Sequence, residues 1–162
     1  MDALAPLDAE ILRRTFGIAA QARAAGHRPF GAIVADAAGT IAQAGSAQGG
    51  GDPTTHAEMN AVRAAMAAAP RERLAGATLY ASTEPCAMCT AAAFYAGLGR
   101  IVFGFPEERL RPMRNRSPGG AGLALSCREV LSRAPRAVEV RGPCLVEEAA
   151  ALHDGFWTAA TP

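Results

Sequence analysis

The side chains with the clearest chemistry lie in two short stretches. These are His56-Ala57-Glu58 and, thirty residues after the histidine, Pro85-Cys86-Ala87-Met88-Cys89. One imidazole and two thiolates are three ligands suited to zinc, and three protein ligands leave a fourth tetrahedral position for water. Zinc brings the pKa of such a water to about 7. Glu58 stands two residues from His56, close enough to carry that water's protons without being a ligand. The arrangement points to metal-assisted hydrolysis with a carboxylate as proton carrier. A C-x-x-C pair alone also fits a redox couple, and a lone histidine is more often structural. Glu58 and Pro85 beside them favour the metal.

Both stretches must be held by the ends of helices. Asp52-Pro53-Thr54-Thr55 offers capping residues before His56, and the Ala-rich run from Ala57 to Ala69 reads as a helix with His56 in its first turn. Pro85 stands where a second helix can begin, with Cys86 and Cys89 on one face. Two helix N-termini then converge on one ion, and their partial positive charge favours thiolate over thiol. The strand Ala77–Thr83 delivers Glu84-Pro85-Cys86 at its C-terminal end, where open α/β sheets bind ligands.

The rest of the chain reads as support. Residues 7–25 have helical spacing of Leu7, Ile11, Leu12, Phe16 and Ala19, ended by Gly26. Ala32–Ala35 is a buried strand, Ala38-Gly39 a hairpin turn, and Thr40–Ala44 the return strand. Gly45–Gly51 is a Gly-rich connector and a candidate pocket wall; it lacks the form of a phosphate loop. A helix from Cys86 to about Ala96 and a strand at Arg100–Phe105 imply a right-handed parallel crossover. Residues 106–122, with four arginines from Arg109 to Arg116, read as an irregular loop, either solvated or a rim meeting an anionic group or a partner. A short helix at Ser126–Ser132, a strand at Ala137–Val140 and a terminal helix from Val146 to about Thr158 follow.

At 162 residues the chain is long enough for one domain with its own core. Net charge is +1, so no global field draws nucleic acid. The apolar runs are too short to span a bilayer, and the start lacks the features of a signal peptide. With two of four cysteines in the metal motif, Cys127 and Cys144 are read as free thiols of a cytoplasmic protein. Every basic side chain other than histidine is Arg, which fits compositional bias better than a special use of arginine.

The run Asp52-Pro53-Thr54-Thr55-His56-Ala57-Glu58 with Glu84-Pro85-Cys86-Ala87-Met88-Cys89 resembles the cytidine-deaminase-like superfamily. More narrowly, it is similar to the branch of guanine deaminases, nucleoside deaminases and tRNA adenosine deaminases, over about Leu7 to Trp157. The resemblance implies a three-layer α/β/α fold with a five-stranded mixed sheet, usually in a homodimer. It assigns Zn2+ to His56, Cys86 and Cys89 and makes Glu58 the proton shuttle. It marks Phe30, Ala32 and Tyr95 as pocket neighbours, and Phe156 and Trp157 as candidates to close the pocket; packing of the last helix explains that pair equally well. The segment Pro29-Phe30-Gly31-Ala32 looks more like the guanine-deaminase side. The family usually places an Asn before the Asp-Pro-Thr run, but no Asn lies between Gly26 and His56, so Ser46 and Gln48 are the candidates to stand in.

These residues imply hydrolytic deamination of a free nucleobase, nucleoside or related aminated heterocycle, with guanine as the first candidate. The alternatives are a tRNA adenosine deaminase and a non-catalytic zinc-stabilised partner subunit. A tRNA enzyme needs a basic surface, for which only Arg109–Arg116 is at hand. An inactive subunit would have no need of Glu58.

Overall fold

The structure, a computed structural model, describes residues 4–47, 51–117 and 120–158. The elements run α1 (Pro6–Ala24), β1 (Gly31–Asp36), β2 (Gly39–Gly45), α2 (Ala57–Ala68), α3 (Arg71–Ala75) and β3 (Thr78–Thr83). They continue with α4 (Ala87–Ala96), β4 (Arg100–Phe105), α5 (Glu107–Arg114), α6 (Cys127–Leu131), β5 (Glu139–Arg141) and α7 (Val146–Ala150). The five strands form one mixed sheet in the order β2-β1-β3-β4-β5. β1 runs antiparallel to both neighbours, whereas β3, β4 and β5 are parallel. The expected five-stranded mixed sheet and the β3–α4–β4 crossover are therefore present.

Side-chain alternation splits the core into two layers, one on each face of the sheet. Ala32, Val34, Leu79, Ala81, Ile101 and Phe103 point to the face covered by α2, α4 and α6. Ile33, Ala35, Tyr80 and Val102 point to the face covered by α1 and α7, and Phe105, at the end of β4, joins that cluster out of alternation. Successive strand residues face opposite sides, so a central strand with helices on both faces must be apolar throughout. β1 and β3 meet that condition, being buried along almost their whole length. Gly31 is dictated by the close approach of α1: a Cβ there would collide with the Thr15 carbonyl and lie 2.8 Å from the Ala19 nitrogen.

Three expectations are corrected. Residues 106–122 are not one irregular loop, because α5 occupies Glu107–Arg114. It includes Pro112 despite the hydrogen bond that proline removes. Glu107, Leu110 and Arg114 recur at helical spacing and are all buried, and this burial offsets the break. The terminal helix stops at Ala150, continues as one 3-10 turn at Ala151–His153, and then turns, so Phe156 and Trp157 lie beyond it. The short helix α3, started by Pro70, was not anticipated. No helix among the described residues is long and apolar enough to cross a membrane.

Candidate active site

The two helices expected to converge do so at their first residues. His56 is the N-cap of α2 and Cys86 the N-cap of α4. The orphan backbone N–H groups and dipoles of both helices thus face one point. The Asp52-Pro53-Thr54 segment acts differently from expectation: α2 has no side-chain cap. The Asp52 carboxylate instead accepts from the Thr54 backbone N–H at 2.8 Å and its hydroxyl at 2.7 Å, closing the turn before His56.

His56 Nδ1 lies 3.6 Å from Cys86 Sγ and 3.5 Å from Cys89 Sγ, and the two sulfurs are 3.5 Å apart. A disulfide is about 2.05 Å long, so the sulfurs are free thiols. Bond lengths of about 2.3 Å to sulfur and 2.0–2.1 Å to nitrogen give tetrahedral edges of roughly 3.5–3.8 Å. The triangle of donors therefore fits a zinc ion without rearrangement. These three are the only group of three or more metal-ligating side chains found among the described residues.

Glu58 follows in the first turn of α2. Its Oε2 lies 3.7 Å from Cys89 Sγ, and the residue is 5% exposed. Burial pushes its carboxyl up to about 7, helped by the negative charge of Cys86. A carboxyl poised there can accept and return a proton near neutral pH. The thiols divide unequally. The hydrogen bond with Cys89 draws Cys86 down to about 4, and the same bond together with burial pushes Cys89 up. The hydrogen bond with Cys86 raises His56.

Two cavities meet at the metal-ligating residues. A small inner one of about 30 Å³ is lined by Phe30, Glu58, Glu84, Glu107 and Leu110, among others. An outer one of about 460 Å³ includes Pro53, Met88, Gly122 and Leu123 in its walls. Arg28, His56, Cys86 and Arg114 line both. Small-molecule sites occupy roughly 300–1,000 Å³, so the outer cavity has room for a ligand of modest size.

Of the anticipated pocket residues, Phe30 does line the inner cavity. Trp157 supports it from behind with ring centroids 5.9 Å apart, and Phe156 packs edge-on against Trp157. Ala32 is fully buried in β1 and Ser46 is buried at the end of β2, its hydroxyl without a partner among the described residues. Neither lines either of these two cavities. Tyr95 is 74% exposed, packs edge-on against Phe94, and lines neither cavity. It sits nearly two helical turns beyond Cys89. Gln48 lies outside the described residues.

The sequence reading missed Arg28 as a pocket residue. The stretch holding Arg114 read as either a solvated loop or a rim, but Arg114 is 9% exposed and donates to Glu107 at 2.8 Å. Burial raises the Glu107 carboxyl, and the Arg114 charge opposes that rise. Gly122 presses on the guanidinium, since a Cβ there would lie 2.8 Å from Arg114 Nη2. The signal was the 107-110-114 spacing, hidden by Pro112. Glu84 holds the frame by accepting from the backbone N–H of Glu107 at 3.1 Å and of Cys127 at 3.0 Å.

Comparison with known proteins agrees with this geometry. A "probable cytosine deaminase" of Schizosaccharomyces pombe is 39% identical over 155 residues, covering 95% of this chain and 94% of that protein. A tRNA-specific adenosine deaminase of Agrobacterium fabrum is 41% identical over 93 residues, 55% of this chain and 61% of its own length. The solved guanine deaminase of Nitrosomonas europaea superposes with a TM-score of 0.76 at 22% identity, over 94% of this chain and 85% of that one, and so shares the fold. The family described as the cytidine and deoxycytidylate deaminase zinc-binding region matches residues 6–105. The stretch matched includes His56, Glu58, Cys86 and Cys89, and the chain belongs to this family of zinc-dependent hydrolytic deaminases.

Proposed function

We propose that this enzyme deaminates a small nucleobase-type heterocycle, with guanine and cytosine as the first compounds to test. The observation that carries the reading is Glu58, buried beside the His56-Cys86-Cys89 triangle and lining the small cavity that shares His56 and Cys86 with the larger one. Guanine is supported by the Pro29-Phe30-Gly31-Ala32 segment. Cytosine is supported by the relative matched over nearly its whole length.

His56, Cys86 and Cys89 would hold zinc, which when bound supplies the Lewis acidity that brings water's deprotonation into the neutral range. Glu58 takes a proton from the attacking water. It returns protons to a ring nitrogen and to the exocyclic amine, so that the C–N bond breaks, a C=O forms and ammonia leaves. Phe30, backed by Trp157, offers an apolar face to the ring.

A tRNA substrate is less well supported. The arginines of α5 are engaged within the chain: Arg109 with Glu147 at 3.0 Å, and Arg111 and Arg114 with Glu107 at 3.4 and 2.8 Å. That removes much of the basic surface a phosphate backbone would need. The test is ammonia release from a panel of bases, nucleosides and a tRNA anticodon stem-loop, with the zinc-loaded enzyme. Turnover of small heterocycles supports the reading, and turnover of the stem-loop alone overturns it.

A further inference from the structure

Residues 151–158, beyond α7, carry a buried histidine that takes no part in the proton transfers above. The His153 ring is enclosed by three others: Phe105 at 5.2 Å between centroids, Phe30 at 5.8 Å and Trp157 at 6.0 Å. Its backbone is fixed on both sides, because Arg23 of α1 donates to the carbonyls of Leu152 at 2.8 Å and Asp154 at 2.7 Å.

Trp157 Nε1 lies 3.1 Å from His153 Nδ1. An indole N–H can only donate, so Nδ1 accepts and the proton of the neutral ring sits on Nε2. Burial, and then the Arg23 charge, hold the ring in that neutral form by lowering its pKa to about 4. Nε2 has no partner among the described residues. A buried donor without a partner is costly, and a phenylalanine would fill a similar space without one. What the imidazole adds is an acceptor for Trp157.

The bond fixes how the indole is turned: its plane lies 22° from the imidazole and 43° from Phe30, whose centroid is 5.9 Å away. Phe30 thus packs against both members of the bonded pair, and it lines the cavity that holds Glu58. His153 itself lines neither of the two cavities at the metal-ligating residues.

We propose that His153 is a positioning residue: by accepting from Trp157 it locks the two rings against which Phe30 packs, and so sets how tightly Phe30 holds the heterocycle. This role rests on the deaminase reading above and adds to it a residue outside the cavities.

The test measures ammonia release by zinc-loaded variants, from whichever compound of the panel above the native enzyme turns over fastest. His153→Phe keeps the stacking and removes the acceptor, Trp157→Phe removes the donor, and His153→Asn presents an Oδ1 near the place of Nδ1. Each phenylalanine variant should raise KM about 3- to 10-fold, the size of one neutral hydrogen bond, with a smaller change in kcat. The double variant should do no worse than the poorer single one, and His153→Asn should recover part of the loss. Trp157 is the chain's single tryptophan, so its fluorescence quenching by acrylamide should increase in His153→Phe and stay closer to native in His153→Asn. Thermal melts establish which variants are folded. An unchanged KM in folded His153→Phe or folded Trp157→Phe, or losses that add in the double variant, overturns the positioning role and leaves the deaminase reading intact. Release from no compound by the native enzyme overturns the deaminase reading and this role with it.

Discussion

Glu58 Oε2 lies 3.7 Å from Cys89 Sγ, which places the one buried carboxylate of α2 beside the metal triangle and not within it. That separation lets a proton carrier and a metal ligand set coexist. It also makes the two separable by mutation. Glu58→Gln retains the shape and lacks the titrating oxygen. It should bind zinc as the native enzyme does and lose about 10²- to 10⁴-fold in kcat, measured by ammonia release beside metal content.

Zinc binding should depend on pH with a fixed sign. Cys89 is pushed up by its bond with Cys86 and by burial, so without metal it holds its proton at neutral pH, whereas Cys86, drawn to about 4, has lost its own. Both must be thiolates to bind the ion, so affinity rises with pH and roughly one proton or more is released per zinc. Competitive chelator titrations at pH 6 and pH 8 check this (~100-fold apart for one proton), and equal affinities would contradict it. Removal of the metal by a chelator should abolish turnover.

The buried ion pair of Arg114 and Glu107 lies within α5, and both residues line the small cavity beside Glu58. Arg114→Ala leaves the buried Glu107 without its closest partner and with only the longer contact to Arg111, at 3.4 Å. Breaking one side of such a pair costs about 3–5 kcal/mol. Denaturant unfolding should show a loss of that order for Arg114→Ala. The double variant Arg114→Leu with Glu107→Leu should recover part of it, since no charge is then left unpaired.

Much of the fold was legible because its elements follow simple periods. The α1 stripe of Ile11, Leu12, Phe16 and Ala19 and the apolar runs of β1 and β3 need no distant information. The metal triangle was legible because two of its ligands cap helices, marked locally by Pro85 and by the Asp52 turn, and the third stands one turn into α4. The substrate side was not. Arg28 and Arg114 are 86 residues apart in the sequence and meet only when α5 folds under the sheet's C-terminal edge. Pro112 concealed that helix, and charge density made a buried arginine look like a solvated one. Tyr95, marked as a pocket neighbour by the resemblance, is turned outward on α4.

His153 supplies a pH test of stability away from the metal. It is 2% exposed, its Nδ1 accepts from Trp157 Nε1 at 3.1 Å, and its Nε2 has no partner among the described residues. Burial lowers its pKa from 6.5 to about 4, with the Arg23 charge adding to the effect. Above pH 6.5 neither the folded nor the unfolded chain holds this proton, and the contribution is fully present. As pH falls from 6.5 to 4 the unfolded chain takes the proton first, so stability declines by about 3 kcal/mol in total. Unfolding free energies of the native protein and His153→Gln across this window should converge as pH falls, and parallel curves would contradict the assignment.

The most direct test of the central claim is ammonia release by zinc-loaded native enzyme and zinc-loaded Glu58→Gln, with metal content measured on the same samples. The predicted result is one zinc per chain in both, with release from a small aminated heterocycle only by the native enzyme. Native-like release by Glu58→Gln, or release by protein stripped of zinc, would contradict it.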